Sequence, residues 1–316
     1  MSRCKITKIK KSRNKDFSRY DDLISEVESA SLTMSEASEE FYNIIAELPV
    51  LKVEPTEGGV YALKKNIMGM LCVEVTIHEK KYDFLLDTGA EISCVSNLFI
   101  KEGTTIKEVS VGAADGHKKS MSLCAFDCIE VLGATFKNLP MLILEDQMTF
   151  SLLGRTVYKL DGIVGWDILS QFDFTISKDK LLIKASEAFP EETLNFPRST
   201  FPVITLDHQG EQRTFGFDTG AKKSWINETL IEKDHLKIVK YQNKKHFGAH
   251  GSYMQAVKVI KSYDLELIDY QISFKQLETG FTGLLNDYEL DGVLGIDILK
   301  KNAIEISNSK GSFRFV

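Results

Sequence analysis

The chain has 316 residues, of which 43% are hydrophobic, and a net charge of -6. That length suggests two ordinary domains plus an extension, and that apolar content excludes wholesale disorder. The net acidity argues against nucleic acid as a partner, and no stretch approaches the roughly 20 apolar residues of a membrane span. Residues 1–18 are polar and basic and read as a mobile arm. No apolar run follows them, so they do not read as a secretory signal. Five cysteines (Cys4, Cys72, Cys94, Cys124, Cys128) form an odd, sparse set rather than a disulfide framework, which favours a reducing, cytoplasmic setting. From Tyr20, an apolar stripe of Leu23, Ile24, Val27 and Leu32 predicts a helix. Thr33-Met34-Ser35-Glu36 has capping-box spacing, and Phe41, Ile44, Ile45 and Leu48 give a second amphipathic helix stopped by Pro49. Helices this short are not stable alone in water, so they must dock on the body or on a partner protein.

After Pro49 the pattern turns to strand, at Val50 to Val53 and Val60 to Leu63. A repeat begins near Met68. Cys72 to Ile77 alternates, His78-Glu79-Lys80-Lys81 turns, and Tyr82 to Leu86 returns as a hairpin that ends in Asp87-Thr88-Gly89-Ala90. Much later in the chain, Val203 to Leu206 and Arg213 to Phe217 form a second such hairpin, ending in Asp218-Thr219-Gly220-Ala221. Each copy then carries a Gly-rich polar tip: Gly112 with Asp115 and Gly116 in the first, Gly248 with Gly251 and Tyr253 in the second. Glycines there let the backbone turn. Leu160-Asp161-Gly162-Ile163-Val164-Gly165-Trp166-Asp167 is matched by Leu290-Asp291-Gly292-Val293-Leu294-Gly295-Ile296-Asp297. The spacing from Asp87 to Asp161 is nearly the same as that from Asp218 to Asp291. Both copies close on two short strands. Glu187 to Pro202, with Pro190, Pro197 and Pro202, reads as the linker. The organisation is therefore an extension over 1–65 and two similar, mainly β lobes over 66–190 and 191–316.

Each copy supplies one aspartate. Two carboxylates brought face to face cannot both ionise cheaply, so the pair tends to share one proton. Such a pair takes a proton from a held water while polarising a substrate carbonyl, and needs neither metal nor cofactor. Thr88 and Thr219 can bond across the two loops, and Gly89 and Gly220 bring backbone N–H groups to the carboxylates.

These motifs resemble the aspartic peptidase superfamily, and within it the retropepsin-like branch. Members of that branch usually dimerise, each chain giving one Asp-Thr-Gly; this chain resembles a fused dimer, as pepsins are. The resemblance covers about 66–316. It implies two pseudo-symmetric acid-protease β-barrel lobes, with Asp87 and Asp218 as the catalytic pair and Thr88 and Thr219 interlocking. It also implies Gly162–Gly165 and Gly292–Gly295 as the loops under the two turns. The tips at Gly112, Asp115, Gly116, Gly248, Gly251 and Tyr253 would be flaps over a substrate. The implied activity is endopeptidase, acting on a peptide or protein substrate, in a monomer that uses no metal or cofactor; the charge and the lack of an apolar span add the expectation of no nucleic acid and no membrane. Ala90 and Ala221 stand where pepsins usually have Ser or Thr; losing that hydroxyl predicts higher carboxyl pKa values and activity nearer neutral pH. Glu91 and Lys222 differ between the copies.

Plainer readings stand beside these. The same fold without activity would be a peptide-binding or regulatory scaffold, and the extension over 1–65 reads either as an interaction or substrate-recruiting module or as a propeptide-like cover removed by self-cleavage. Asp161, Asp291, Asp167 and Asp297 read as turn or cap residues. Cys124 and Cys128 with His117, and His246 with His250, have metal-like spacing but read as core and loop residues. Lys222-Lys223 reads as a solvated pair or as a subsite for an acidic side chain, and Trp166 and Trp225 as packing residues.

Overall fold

In the computed structural model the described residues are 3–9, 36–112, 118–144, 149–152, 155–185, 195–197, 199–248, 251–280, 284–285 and 288–316. The first predicted helix, over 20–32, lies outside them. The chain runs β1 (Arg3–Lys8), α1 (Glu36–Ala46), β2 (Lys52–Glu54), β3 (Gly59–Ala62), β4 (Lys64–Lys65), β5 (Leu71–Ile77), β6 (Lys80–Leu86) and β7 (Cys94–Ser96). It continues through β8 (Ile106–Gly112), β9 (Lys118–Val131), β10 (Ala134–Leu144), β11 (Thr149–Leu152), β12 (Arg155–Lys159), β13 (Gly162–Val164), α2 (Trp166–Leu169), β14 (Phe174–Ile176) and β15 (Lys180–Ile183). The second half holds β16 (Val203–His208), β17 (Glu211–Phe217), β18 (Trp225–Ile226), α3 (Leu230–Lys233), β19 (Ile238–Gly248), β20 (Gly251–Leu267) and β21 (Tyr270–Thr279). It ends with β22 (Leu284–Leu285), β23 (Tyr288–Glu289), β24 (Gly292–Leu294), β25 (Ile304–Ser307) and β26 (Ser312–Phe315). The protein is mainly β.

Two sheets carry the repeat. One has the order β2-β10-β7-β13-β6-β5-β9-β8, the other β1-β21-β18-β24-β17-β16-β20-β19. The long strands bend so that β9 pairs with both β5 and β10, and β20 with both β16 and β21, which curls each sheet toward a barrel. The alternation that predicted the hairpins holds. Phe84 and Leu86 on β6, and Phe215 and Phe217 on β17, point into the main core. The first hairpin turns through His78 and Glu79, both with positive φ, and the second through Gln209 and Gly210 at φ 56° and 93°. Two-residue turns of that hand match the twist of the strands they join.

A third sheet, β26-β25-β14-β15-β3, joins the copies. β14 of the first pairs antiparallel with β25 of the second, Thr175 opposite Glu305. The buried Glu305 carboxylate accepts from Lys184 Nζ at 3.0 Å and from Arg314 Nε at 2.6 Å, so its charge is paired on both sides.

Several expectations need correction. Arg3–Lys8 is not a free arm but an edge strand on β21, because Cys4 and Ile6 alternate with charged residues and pack against the core. The described part of residues 1–65 holds one helix and four strands rather than being mainly helical, and those strands complete the three sheets. The second predicted helix is present as α1. The linker is not wholly exposed: Asn195, Phe196 and Phe201 are buried. Phe196 meets Trp166 edge-on at 5.9 Å, and the Asn195 side chain donates to Phe313 O and accepts from Phe313 N, both at 2.9 Å. No helix among the described residues is long and apolar enough to cross a membrane.

Candidate active site

The two Asp-Thr-Gly turns meet where β6 and β17 end. Asp87 N–H donates to Val164 O at 3.0 Å and Asp218 N–H to Leu294 O at 2.9 Å, so each aspartate is anchored to the Gly-x-x-Gly strand of its own copy. Across the junction, Thr88 Oγ1 donates to Phe217 O and Thr219 Oγ1 donates to Leu86 O, each at 2.7 Å. Both threonines are fully buried. Bonds of this kind fix the turns relative to one another because a broken one leaves a buried polar group unpaired.

The carboxyls face each other. Asp87 Oδ1 accepts from Gly89 N–H at 2.9 Å; Asp218 Oδ1 accepts from Gly220 N–H at 2.7 Å and Ala221 N–H at 3.1 Å. A Cβ built on Gly89 would lie 2.6 Å from the Asp218 carboxyl, and one on Gly220 would lie 2.4 Å from Asp87 Oδ1. Glycine is required there by close approach, since each turn lies against the other turn's acid. Burial raises the pKa of both aspartates. The Asp87 charge raises that of Asp218 further, well above the ordinary carboxyl value. The geometry thus presents two adjacent carboxyls, both raised by burial and Asp218 further by the Asp87 charge, each met by backbone N–H donors.

The Gly-x-x-Gly strands are equally constrained. A Cβ on Gly165 would lie 2.7 Å from Ala90 O and one on Gly295 2.6 Å from Ala221 O. Trp166 N–H and Ile296 N–H donate to those same carbonyls at 2.7 and 2.9 Å. Asp167 and Asp297 are structural, as expected. Asp167 accepts from Ser93 Oγ at 2.6 Å and Ser93 N–H at 3.0 Å; Asp297 accepts from Ser224 Oγ at 2.7 Å and Ser224 N–H at 2.9 Å. Each serine oxygen also accepts the Gly165 or Gly295 N–H. Burial lifts the Asp167 pKa to about 6 despite these bonds. Ser93 and Ser224 were missed in the sequence, although they stand at the same offset after Asp87 and Asp218, which repeat alignment exposes.

The remaining predicted residues are spread out. Gly112 pairs with Lys118 and Gly248 with Gly251 at the ends of two long hairpins; Asp115 and Gly116 lie outside the described residues, and Tyr253 is placed on β20. Cys124 is buried, with its thiol pKa pushed up to about 11 chiefly by burial, while Cys128 is half-buried. His117 and His250 lie outside the described residues, and among those described no cluster suited to a metal occurs. Lys222 is exposed, and Lys223 lies 3.8 Å from Glu278. Trp166 packs in the core, its indole N–H donating to Ser199 O at 2.9 Å, and Trp225 is partly buried.

The mainly β architecture, with barrel-like sheets, is consistent with an acid-protease fold. Residues 73–159 match the family model described as "gag-polyprotein putative aspartyl protease". That stretch, which contains Asp87-Thr88-Gly89, is similar to the retropepsin-like aspartyl proteases, a class of peptide-bond hydrolases. A comparison with curated proteins gave no match.

Proposed function

We propose that the chain is a single-chain aspartic endopeptidase with two pseudo-symmetric retropepsin-like lobes, in which Asp87 and Asp218 form one catalytic pair. The observation that carries this reading is the mutual approach of the two turns, with each glycine against the opposite carboxyl and both carboxyl pKa values raised. One proton shared by two close carboxyls is behaviour already established for aspartic-protease pairs. The ionised member takes a proton from a water held between them. The protonated member hydrogen-bonds the scissile carbonyl oxygen and passes its proton to it as the water oxygen bonds to the carbonyl carbon, giving a tetrahedral diol. The C–N bond then breaks as the amine nitrogen takes the proton left on the pair and a diol hydroxyl gives its proton back, which leaves a carboxylic acid product, a free amine and the pair with its single proton.

The substrate lies extended in the cleft between the lobes, under the hairpins that end at Gly112 and Gly248, held through main-chain hydrogen bonds. One chain carries both aspartates, so a monomer suffices. Cysteines held as thiols at Cys4, Cys72, Cys94, Cys124 and Cys128 support a reducing, cytoplasmic setting. The test is a cleavage-site profile on a peptide library for the wild type and for Asp87→Asn, with and without a statine-type inhibitor. Cleavage lost in Asp87→Asn and blocked by the inhibitor supports the enzyme. Identical profiles for the two proteins leave the peptide-binding scaffold as the reading.

A further inference from the structure

Each repeat sheet has a second face. On β6, Phe84 and Leu86 enter the main core while Leu85 points the other way; on β13, Val164 enters the core while Ile163 does not. Leu85, Ile163, Ala90, Ile92 and Val111 share an apolar cluster on that other face. Ala90 directly follows the glycine whose N–H meets Asp87, and Val111 stands on the strand leading to the first hairpin tip. This cluster is therefore the apolar ground beside Asp87.

The cluster is occupied. Phe41, Ile44, Ile45 and Leu48, from α1 and the residues just after it, pack against it, and Leu48 is buried. Two polar ties flank the contact: Tyr42 Oη donates to Glu91 Oε1 at 3.1 Å, and Lys107 Nζ donates to Glu47 Oε2 at 2.8 Å. Both lie at the exposed surface, where such ties contribute little, so apolar contact holds the helix. Among the described residues the second copy has no such helix. Its matching face is filled by Phe201, Val203 and Trp225 from the body itself, and a Cβ on Gly216, the counterpart of Leu85, would lie 2.4 Å from Phe201. The first face is thus the one covered from outside the repeat. A helix of 11 residues is not stable undocked, so its release also unfolds it.

We propose that residues 41–48 occupy, in cis, an apolar subsite beside Asp87, and that this subsite takes the branched or aromatic apolar side chains of an extended peptide once the helix leaves. The chain's own Phe, Ile and Leu side chains then compete with substrate. This rests on the reading of Asp87 and Asp218 as a proteolytic pair, and the test separates the two.

Binding is measured first, in the full chain carrying Asp87→Asn, by fluorescence anisotropy of a labelled hexapeptide rich in Leu, Ile and Phe. Phe41→Glu/Ile45→Glu is expected to tighten binding by about tenfold or more, the scale of one buried apolar side chain. A milder pair, Tyr42→Phe/Glu47→Ala, removes the two surface ties and leaves the apolar side chains in place; it is expected to tighten binding about twofold to threefold with an unchanged melting temperature, and decides the matter if the first variant does not fold. A hexapeptide with Lys and Asp at the apolar positions is expected to gain nothing. Equal affinity of the apolar peptide for folded variants and parent overturns the proposal, as does an equal gain for the polar peptide. Hydrolysis of the apolar peptide is then followed with Asp87 intact. A binding gain without hydrolysis in any protein keeps the cover and sinks the protease reading. Equal hydrolysis with and without the helix substitutions keeps the protease and sinks the cover.

Discussion

Thr88 N–H donates to Thr219 Oγ1 at 3.0 Å, and Thr219 N–H donates to Thr88 Oγ1 at 3.0 Å. The same bond is made twice, once in each direction, between turns far apart in the chain. Thr88→Ala strands a buried Thr219 N–H and a buried Phe217 carbonyl. It is expected to cost about 2–3 kcal/mol, whereas Thr88→Ser, which keeps the oxygen, costs less than about 1 kcal/mol. Denaturant midpoints of the two variants check this. Equal midpoints would remove the threonines from the set of contacts that hold the copies together.

The acid pair makes stability depend on pH in a stated direction. Burial raises both carboxyls, and the Asp87 charge raises Asp218 further, so the folded pKa values lie above the unfolded ones. Their contribution is complete below the ordinary carboxyl pKa and is lost as pH rises through the folded values. Asp218→Asn removes the more strongly raised group. From about pH 4 to about pH 7 the wild-type melting temperature is expected to fall more than that of Asp218→Asn, which ends the more stable and inactive of the two. Parallel curves would contradict the coupling.

Gly162 and Gly292 hold equivalent places but face different obstacles. A Cβ on Gly162 would lie 2.1 Å from the Phe84 ring, whereas one on Gly292 would lie 2.5 Å from both the Phe215 ring and the Trp225 carbonyl. Both Ala variants are expected to lose about 1–3 kcal/mol or more through overpacking. Adding Phe84→Leu makes room and recovers part of the loss for Gly162→Ala; adding Phe215→Leu recovers little for Gly292→Ala, because backbone does not yield. Chemical denaturation of the four proteins checks the asymmetry.

Ser93→Ala deprives the buried Asp167 of its hydroxyl donor. With that bond the aspartate already titrates at about 6, above its unfolded value, so its ionised form weakens the fold as pH rises toward 6. Without the bond the folded pKa moves higher and the loss extends further up the pH scale. The substitution is expected to cost about 1–3 kcal/mol near pH 7.5 and clearly less near pH 5, where Asp167 is largely protonated. A cost independent of pH would assign the loss to the Gly165 N–H, whose acceptor is also Ser93 Oγ, and not to the Asp167 charge.

The paired turns were legible in the sequence because close approach leaves few residue types that fit. Asp87, Gly89 and Gly165 recur as Asp218, Gly220 and Gly295, and each glycine meets an atom that a Cβ would strike. The His78-Glu79 turn was legible from alternation on either side of it. β1 was not: its apolar Cys4 and Ile6 stand among Arg3, Lys5 and Lys8, and its partner β21 belongs to the second copy, near the other end of the chain. Edge pairing is read from the partner, not from the strand. Phe201 was hidden by the prolines around it, which signal a loop but say nothing of burial. The stripe of Phe41, Ile44 and Ile45 announced a helix that must dock. Which surface receives it depends on Leu85 and Ile163 turning away from the core, and that requires both sheets to be placed.

The sheet that joins the copies also sets a timetable. Thr175 has no partner on its β25 side until Glu305 has been synthesised, almost at the end of the second copy. A nascent chain that has released the whole first copy therefore still exposes an open strand edge, and that edge closes only when the last strands arrive. Domains made first usually fold first; here the first half waits for the second. Truncation before β25 should thus yield a sticky, unpaired half rather than a smaller working unit, and ribosome stalling in that interval is when the chain is most exposed to aggregation.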